Sequence, residues 1–378
     1  MTAAAVVFGG IAVALLLWSY LFYPWLLFRL SRNAHPTGDE GRSDFAPSVE
    51  VIVSAHDEEE SIGARVANLL AQQYAGPLAV SIGCDGCRDR TAARAREAGD
   101  ERVRVVEFAQ RRGKASVLND LVAQARSDVL VFTDANSTFA ADAVRRLIAP
   151  LADPSVGAVC GRLVLESPEG NRASPETEFW DRETRLKEAE GRLGVCLGAN
   201  GAIYAARCDL VAPLPEGSAL DDFLIPARIA AAGRRVVFAG DAIAREPAGS
   251  DVAMEASRRL RIGIGAGGIL LRERGLFDFR RRPLLALAFL SRKVARWLAP
   301  VAAFGAILLA LFSPSLRPFA AALAAALLLL AASVLLRPRV SGWAGRLYYF
   351  GVINLALAAG VVAGLAGIRR PAWPRTSR

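Results

Sequence analysis

The sequence predicts an α/β domain with a mostly parallel sheet, flanked by helices that span a membrane. Strand-like apolar segments alternate with amphipathic helical segments between residues 47 and 250, which is typical of parallel α/β sheets. Hydrophobic residues make up 53% of the chain, and its mean hydropathy of +0.29 is too high for a wholly soluble globule. Long uncharged runs near both ends of the chain supply the candidate spans.

The elements of the middle domain, residues 47–250, follow one another in regular order. Strands are predicted at short runs of apolar residues, and helices where apolar residues recur on one face. The predicted strands are Val49–Ser54, Ala79–Gly83, Val103–Val106, Asp128–Thr133 and Ile203–Ala206, and the predicted helices are Glu59–Gln72, Asp89–Ala98 and Ala115–Arg126. In such sheets the crossovers are right-handed, and ligands bind outside the carboxyl ends of the strands.

An N-terminal membrane anchor is predicted over residues 1–30. The chain carries no charge from Ala5 to Phe28, a run that can cross a hydrocarbon core of about 30 Å. A cleaved signal peptide fits less well, because no basic segment precedes the run and the run exceeds a usual signal core. Arg29 and Arg32 follow directly. The positive-inside rule then places the middle domain on the cytoplasmic side of the cell membrane.

Three further spans are predicted within residues 297–368, at Trp297–Phe312, Pro318–Leu336 and Leu347–Ile368. Residues 251–296 are rich in arginine and are predicted to lie at the membrane surface, where anionic headgroups attract basic side chains. Four complete spans would place the basic tail 369–378 outside the cell, against the positive-inside rule. The sequence predicts a multi-pass protein and leaves the number of full spans and the side of the tail open.

The net charge of +9 and the residue usage restrict the function classes. A basic chain can bind anionic lipid, phosphorylated substrates or nucleic acid, but no aromatic stacking platform or reading helix accompanies this charge, so nucleic acid is not a predicted partner. Two histidines and five scattered cysteines disfavour a histidine-based zinc centre, a Ser-His-Asp triad and a disulfide scaffold. The pair Cys84-x-x-Cys87 is typical of zinc or redox sites; without a second pair or a histidine near it in sequence, neither is predicted.

Acidic residues follow three of the predicted strands. Asp57, Asp85 and Asp134 follow the first, second and fourth strands within three residues. A single aspartate in such a place is most often a helix cap, but three on one sheet edge favour a ligand site. Asp134-x-Asn136 has the spacing and the oxygen ligands to hold Mg²⁺ or Mn²⁺ shared with a phosphorylated substrate.

Two helix starts carry further candidate residues. Gly113-Lys114 opens the third predicted helix and can hold phosphate, although no Walker A loop precedes it. Asp221-Asp222 begins an amphipathic helix, either as cap and first-turn charge or as a general base whose pKa its neighbour raises. No G-x-G-x-x-G follows the first strand, and the glycine-rich segment at Gly263–Gly268 lies among the arginines, which disfavours a dinucleotide site.

The order of these motifs resembles that of membrane-bound family 2 glycosyltransferases, which have a GT-A catalytic domain. The resemblance covers roughly residues 47–265. It rests on Val51–Glu59 as the first-strand segment, Cys84–Thr91 as a D-D-G-S-x-D-x-T segment, Gly113–Asn119 as G-K-x-x-A-L-N, Asp134-Ala135-Asn136 at the D-x-D position, Gly198–Ala206 as the acceptor-side loop and Asp221-Asp222 at the Glu-Asp pair. Six motifs in this order, beside membrane spans, are far more specific than any one of them.

The resemblance implies an inverting transfer from a nucleoside-diphosphate sugar, with a uridine donor as the family default, to a lipid-linked or glycan acceptor. Asp222 is implied as the general base, beside Asp221. Mg²⁺ or Mn²⁺ would be held by Asp134 and Asn136. The implied donor-binding residues are Ala55, His56, Glu58, Asp85, Asp89, Lys114, Asp134, Arg258 and Arg261, and the implied acceptor-side residues are Gly198, Asn200 and Gly201.

Two departures from the family pattern affect the expectation. Asn136 replaces an aspartate, so weaker metal binding is expected. Arg258-Arg259-Leu260-Arg261-Ile262 stands where polysaccharide synthases carry Q-x-x-R-W, and the missing tryptophan removes a sugar-stacking face. The alternatives are a processive exopolysaccharide synthase, with an oligomer or an export partner supplying the channel, and a catalytically silent nucleotide-binding membrane scaffold.

Overall fold

The computed structural model describes residues 2–34, 45–166, 175–247, 252–318, 321–322, 325 and 343–369. The described residues form two compact units. A sheet unit comprises residues within 26–249 and 275–288, and a helical unit comprises residues within 1–25, 250–274 and 289–369.

The chain begins with a long apolar helix. Helices α1 (Thr2–Leu17) and α2 (Tyr23–Ser31) are joined by a π-helical turn at Trp18–Phe22. Together they make a helix of 30 residues that is long and apolar enough to cross a membrane. The predicted span Ala5–Phe28 is therefore helical throughout.

An eight-stranded sheet forms the centre of the sheet unit. Its order is β3-β2-β1-β4-β7-β6-β8-β5, in which β1 pairs parallel with both β2 and β4, and β7 runs antiparallel to β4. The strands are β1 (Val49–Ala55), β2 (Leu78–Asp85), β3 (Val103–Phe108), β4 (Val129–Asp134), β5 (Thr138–Phe139), β6 (Val156–Glu166), β7 (Tyr204–Arg207) and β8 (Arg235–Pro247). All five predicted strands are present, with ends shifted by a few residues or fewer.

Helices cover the sheet and alternate with its first four strands. They are α3 (Ile62–Leu70), α4 (Thr91–Ala98), α5 (Lys114–Gln124), α6 (Ala143–Ile148), α7 (Pro175–Arg192) and α8 (Asp221–Ala231). The central strands are mostly apolar because helices cover them on both faces; Val51, Ile52 and Val131 have no exposed surface. This makes the strands recognisable in the sequence. The buried Glu50 of β1 is an exception, and its carboxylate accepts from the hydroxyl of Ser81 in β2 at 2.6 Å.

Four helices follow the sheet in the part of the chain that the structure describes. They are α9 (Val252–Arg272), α10 (Pro283–Ala288), α11 (Ala295–Leu311) and α12 (Trp343–Leu365). Residues 283–311 form a second helix long and apolar enough to cross a membrane, so the apolar segment Pro283–Ser291 is the beginning of this helix. Helix α12 covers most of the predicted span Leu347–Ile368. The predicted span Pro318–Leu336 lies almost entirely outside the described residues, as does the tail from residue 370.

Helices α9 and α12 of the helical unit touch through glycines. A Cβ atom at Gly263 would lie 2.5 Å from the Leu357 carbonyl oxygen, and one at Gly267 would lie 2.6 Å from that of Val361. From the other side, Gly360 and Gly364 meet the backbone of α9. Each helix thus presents two glycines four residues apart, the spacing that allows two helix backbones to approach closely.

Candidate active site

The carboxyl ends of three neighbouring strands meet at one edge of the sheet. Strands β1, β2 and β4 end at Ala55, Asp85 and Asp134, and they are paired in register, with Ala55 opposite Cys84 and Ser54 opposite Asp134. The predicted acidic residues therefore share one edge because the strands are parallel and adjacent.

Asp85 fixes the beginning of helix α5. Its carboxylate is buried and accepts hydrogen bonds from the backbone amides of Arg112, at 2.6 Å, and Gly113, at 2.8 Å. Gly113 has a φ of +89°, a conformation that side chains other than glycine rarely adopt. A carboxylate can accept about four hydrogen bonds, so these two do not exhaust its capacity to accept. The result is a rigid turn that delivers Lys114 to the strand edge.

Lys114 bridges two carboxylates. Its Nζ atom lies 2.8 Å from Oδ1 of Asp134 and 3.2 Å from Oδ2 of Asp221. Burial lowers the pKa of Lys114, but the charges of Asp134 and Asp221 more than compensate, so the pKa lies above its ordinary value. The ammonium is therefore charged at neutral pH and holds the β4 end against the start of α8.

The two aspartates at the start of α8 differ in environment. Asp221 is 7% exposed and accepts, at 3.5 Å, from the hydroxyl of Tyr204, which itself stacks on Phe132 with ring centroids 4.7 Å apart. Asp222 is half-buried. Its backbone carbonyl accepts from the amide of Ala199 at 2.8 Å, which ties the helix start to the loop that begins at Gly198.

Gly201 separates Asp134 from Asp222. A Cβ atom at this position would lie 3.3 Å from Oδ2 of Asp134 and 3.8 Å from Oδ2 of Asp222. Both carboxylates therefore border the small space above this glycine. Lys114, Asp134, Asp221 and Asp222 form one group, and Asp85 is joined to it through the backbone at Gly113, the residue before Lys114.

Buried polar residues form hydrogen bonds next to this group. Arg65 on α3 donates to the hydroxyl of Thr133 at 2.6 Å, and that hydroxyl donates to the carbonyl of Ala202 at 2.7 Å. Burial lowers the pKa of Arg65 to about 9, opposed by Asp134 and Glu246. Arg65 thus connects the residue before Asp134 with the residue after Gly201.

Buried side chains also hold the loop that begins at Gly198. Lys187 on α7 donates to the side chain of Asn200 and, at 3.3 Å, to the carbonyl of Ala199. Asn200 in turn donates to the carbonyl of Gly161 at 2.8 Å. Gly198 has a φ of +83°, which turns the chain into this loop. Lys187 and Asn200 thereby fix the loop from within the sheet unit.

The turns after β1 and β2 are joined by hydrogen bonds. The amide of Glu58 donates to the hydroxyl of Thr91 at 2.7 Å, and the amide of Glu59 donates to the carboxylate of Asp89 at 3.1 Å. His56 places its Nδ1 atom 2.6 Å from the carbonyl of Asp85. Asp89 therefore lies between the two turns and also accepts from the amide of Thr91.

Comparison with known sequences identifies the family. The profile described as "Glycosyltransferase like family 2" matches residues 46–265, more than half of the chain. The chain belongs to this family.

Curated relatives and one solved structure agree with this assignment. N-acetylglucosaminyltransferases of Azorhizobium caulinodans and Rhizobium meliloti are 28% and 29% identical to the chain over 174 residues. These matches cover 44% of the chain, and 44% and 41% of the two relatives, so the chain is aligned with less than half of either one. A mannosyltransferase of Pyrobaculum calidifontis, solved with GDP-Man and Mn²⁺, superposes with a TM-score of 0.66 at 24% identity, covering 95% of the chain and 99% of that structure. The predicted GT-A glycosyltransferase fold is confirmed.

The sheet unit of this family 2 glycosyltransferase holds most of the predicted site residues. Ala55 is the last residue of β1, and His56, Glu58 and Asp89 lie in the turns after β1 and β2. Asn136 lies half-exposed in the turn that follows Asp134. Arg258 and Arg261 lie on α9 in the helical unit, where Arg258 is 3.6 Å from Glu255. The functions of all these residues stay predictions.

The oxygen ligands at the β4 end fit a hard divalent cation. One oxygen of Asp134 is paired with Lys114, whereas the other faces the space over Gly201. Asn136, two residues on, adds an amide oxygen, and oxygen ligands are those that Mg²⁺ and Mn²⁺ prefer. The donor set therefore suits the predicted cation.

Sequence reasoning missed Arg65, Lys187 and Tyr204. A signal for Arg65 was present, because it stands three residues after Ile62 and four before Leu69, on the apolar face of its helix. Lys187 is one of only three lysines in the chain. Tyr204 occupies the first position of a strand and offers no distinguishing pattern.

Proposed function

We propose that this chain transfers a sugar from a nucleoside-diphosphate sugar to a hydroxyl group of a lipid-linked or glycan acceptor, with inversion at the anomeric carbon. The observation that carries the proposal is the convergence of Asp134 and Asp222 on the space above Gly201, beside the ammonium of Lys114. A donor diphosphate needs positive charge, and an acceptor hydroxyl needs a base within reach. Both are present at this edge.

The donor occupies the strand edge in this proposal. The nucleoside is contacted by Ala55 at the end of β1, by Asp85 at the end of β2, and by the turn residues His56, Glu58 and Asp89. Lys114 contributes positive charge toward the diphosphate, and Arg258 and Arg261 of α9 are the further cationic contacts. Membership of the family supports these roles. The parallel pairing of β1 with β2 also supports them, because it brings together the five residues proposed to contact the nucleoside.

Asp134 and Asn136 hold the divalent cation in this proposal. Mg²⁺ or Mn²⁺, when bound, neutralises the negative charge that develops on the departing diphosphate. The Mn²⁺ found with the mannosyltransferase of similar fold supports a cation of this kind. Asn136 carries no charge, so the site depends mainly on Asp134.

Asp222 is the proposed general base. Its carboxylate takes the proton of the acceptor hydroxyl while the hydroxyl oxygen bonds to the anomeric carbon and the nucleoside diphosphate leaves. Asp221 is buried and held by Lys114 and Tyr204, so it acts as a positioning residue for the same helix start. Gly198, Asn200 and Gly201 form the acceptor side, with Gly201 leaving room between the two carboxylates.

The two long apolar helices support an enzyme that works at a membrane surface. We propose that it crosses the cell membrane more than once, with the sheet unit on the cytoplasmic side and a lipid-linked acceptor delivered from the bilayer. UDP-GlcNAc is the first donor to test, since the curated relatives are named N-acetylglucosaminyltransferases, and GDP-Man is the second.

A donor panel tests the proposal. Purified full-length protein is incubated with UDP- and GDP-sugars, with and without Mg²⁺ or Mn²⁺, and release of nucleoside diphosphate is measured with and without a membrane lipid extract as acceptor. Turnover of one donor that depends on the cation and rises with acceptor is expected. A protein that binds a nucleotide but turns over no donor would instead be the catalytically silent scaffold.

A further inference from the structure

A histidine, an aspartate and a cysteine meet beside the strand edge but outside the group around Lys114. Ligand atoms of His56, Asp57 and Cys87 all lie within 4.8 Å of one another. His56 and Asp57 follow β1, whereas Cys87 follows β2, and the parallel pairing of these strands brings them together. The sequence disfavours a zinc site at Cys84-x-x-Cys87 because no histidine is near in sequence, yet the fold supplies one.

The ring of His56 is oriented as a metal ligand would be. Its Nδ1 atom lies 2.6 Å from the carbonyl oxygen of Asp85. A carbonyl can only accept, so Nδ1 carries a proton, and in the neutral ring the lone pair is then on Nε2. Nε2 lies 3.5 Å from Oδ2 of Asp57. Metal-binding histidines are usually held in this way, with the second ring nitrogen donating to a carbonyl or carboxylate.

Asp57 is held toward the histidine by an unusual backbone conformation. Its φ of +54° is the only positive value among the non-glycine residues that the structure describes. Its Oδ1 atom accepts from the amide of Arg88 at 2.8 Å, which leaves Oδ2 facing His56. Strained residues of this kind concentrate at functional sites, because surrounding contacts must maintain them.

We propose that His56, Asp57 and Cys87 bind a Zn²⁺ ion, with water as the fourth ligand. One nitrogen, one oxygen and one sulfur suit Zn²⁺, whereas Mg²⁺ and Mn²⁺ prefer oxygen. Zinc bonds of about 2.0–2.3 Å place tetrahedral ligand atoms roughly 3.5 Å apart, which the His56–Asp57 pair already satisfies. Binding replaces the thiol proton of Cys87, which passes to solvent. The ion would cross-link the turns after β1 and β2 and would fix the ring of His56, which the proposed function also places beside the nucleoside.

Cobalt provides a direct spectroscopic test. Co²⁺ replaces Zn²⁺ in such sites, and a bound cysteine thiolate gives a charge-transfer absorption that nitrogen and oxygen ligands do not. Untagged, reduced full-length protein is titrated with Co²⁺ in excess Mg²⁺, and Zn²⁺ is then added. The expected result is a thiolate–cobalt band that saturates at one ion per chain and disappears with one equivalent of Zn²⁺.

Variants locate the ion and keep the test independent of the proposed function. Cys87→Ser should abolish the band, and His56→Gln should weaken Co²⁺ binding at least tenfold. Cys208→Ser, a cysteine away from this cluster, and Asp134→Ala, at the proposed donor cation site, should both retain it. Far-UV circular dichroism checks that each variant is folded. Absence of the band in the wild type, or its persistence in folded Cys87→Ser, would overturn the zinc site whether or not the protein transfers sugar.

Discussion

The sheet unit and the helical unit bring residues together in opposite ways. At the strand edge, charged side chains meet across a space that Gly201 leaves open, and Lys114 lies 2.8 Å from Asp134 there. Between α9 and α12, glycines such as Gly267 bring the two backbones into contact and leave no such space. An added side chain should therefore impair chemistry in the first place and packing in the second.

The largest effect is expected for Asp222→Asn, which removes the proposed base and keeps the shape of the side chain. Transfer should fall by about 10²–10⁴-fold, because an amide cannot take the acceptor proton. Donor binding should change little, as measured by calorimetry with nucleoside diphosphate. Asp241→Asn, a substitution at a side chain that is 77% exposed, is the matched control and should retain activity. Equal losses in both variants would remove Asp222 from the reaction.

Asp134→Ala should be nearly as damaging, for a different reason. It removes the carboxylate proposed to hold the cation and leaves Lys114 paired with Asp221 alone. Transfer is expected to fall about a hundredfold, and raising the Mn²⁺ concentration should recover only part of it. If Asp134→Ala kept wild-type activity at every Mn²⁺ concentration, the proposed cation site would be contradicted.

Gly201→Ala should reduce transfer by roughly tenfold with little change in thermal stability. The new methyl group would lie 3.3 Å from Oδ2 of Asp134, inside the space shared with Asp222. The control is Gly63→Ala on α3, where the nearest atom would be 4.0 Å away. Loss of folding in Gly201→Ala, rather than of activity, would show that this glycine serves packing.

In contrast to Gly201→Ala, Gly364→Val is expected to reduce thermal stability. Gly364 meets the backbone of α9 at Ile264, so valine must separate the helices, at a cost of about 1–3 kcal/mol. The unfolding temperature of the detergent-solubilised protein should fall. Gly351→Val on the same helix, where a Cβ meets no described atom within 4 Å, should leave it unchanged. Equal unfolding temperatures for the two variants would contradict close packing through this glycine.

The smallest effect concerns the pH dependence of Lys114. Its pKa is raised, so its ion pairs with ionised Asp134 and Asp221 stabilise the fold from about pH 6 up to the unfolded lysine value of about 10.4, and on the alkaline side that stability is lost only as pH rises through the folded value. Lys114→Met should lower the unfolding temperature by the same amount from about pH 6 to about pH 9. A difference that shrinks within this window would mean that Lys114 loses its proton there.

Sequence reasoning was strongest where strands are buried on both faces. Apolar residues dominate β1, β2 and β4, and an acidic residue stands at or just after the end of each strand. Strands β6 and β8 were not predicted. Their pairing shifts register between Gly161 and Arg162, which breaks the alternation that marks a strand in sequence.

Contacts between residues that are far apart in the sequence could not be predicted. The pairing of Lys114 with Asp134 and Asp221, and the meeting of His56 with Cys87, depend on strand order, which no local pattern encodes. The glycine-rich segment 263–268 is apparent in the sequence, but its partners Gly360 and Gly364 lie about a hundred residues away. The sequence shows which residues are unusual, but only the folded structure shows which residues they contact.

The most direct measurement is a structure of the full-length protein with UDP and Mn²⁺. The expected result is one nucleotide at the carboxyl edge of β1, β2 and β4, with its diphosphate and the cation against Asp134 and Lys114 and with Asp222 facing the same space. A nucleotide bound elsewhere, or Asp134 and Asp222 directed into separate regions, would contradict a single transfer site.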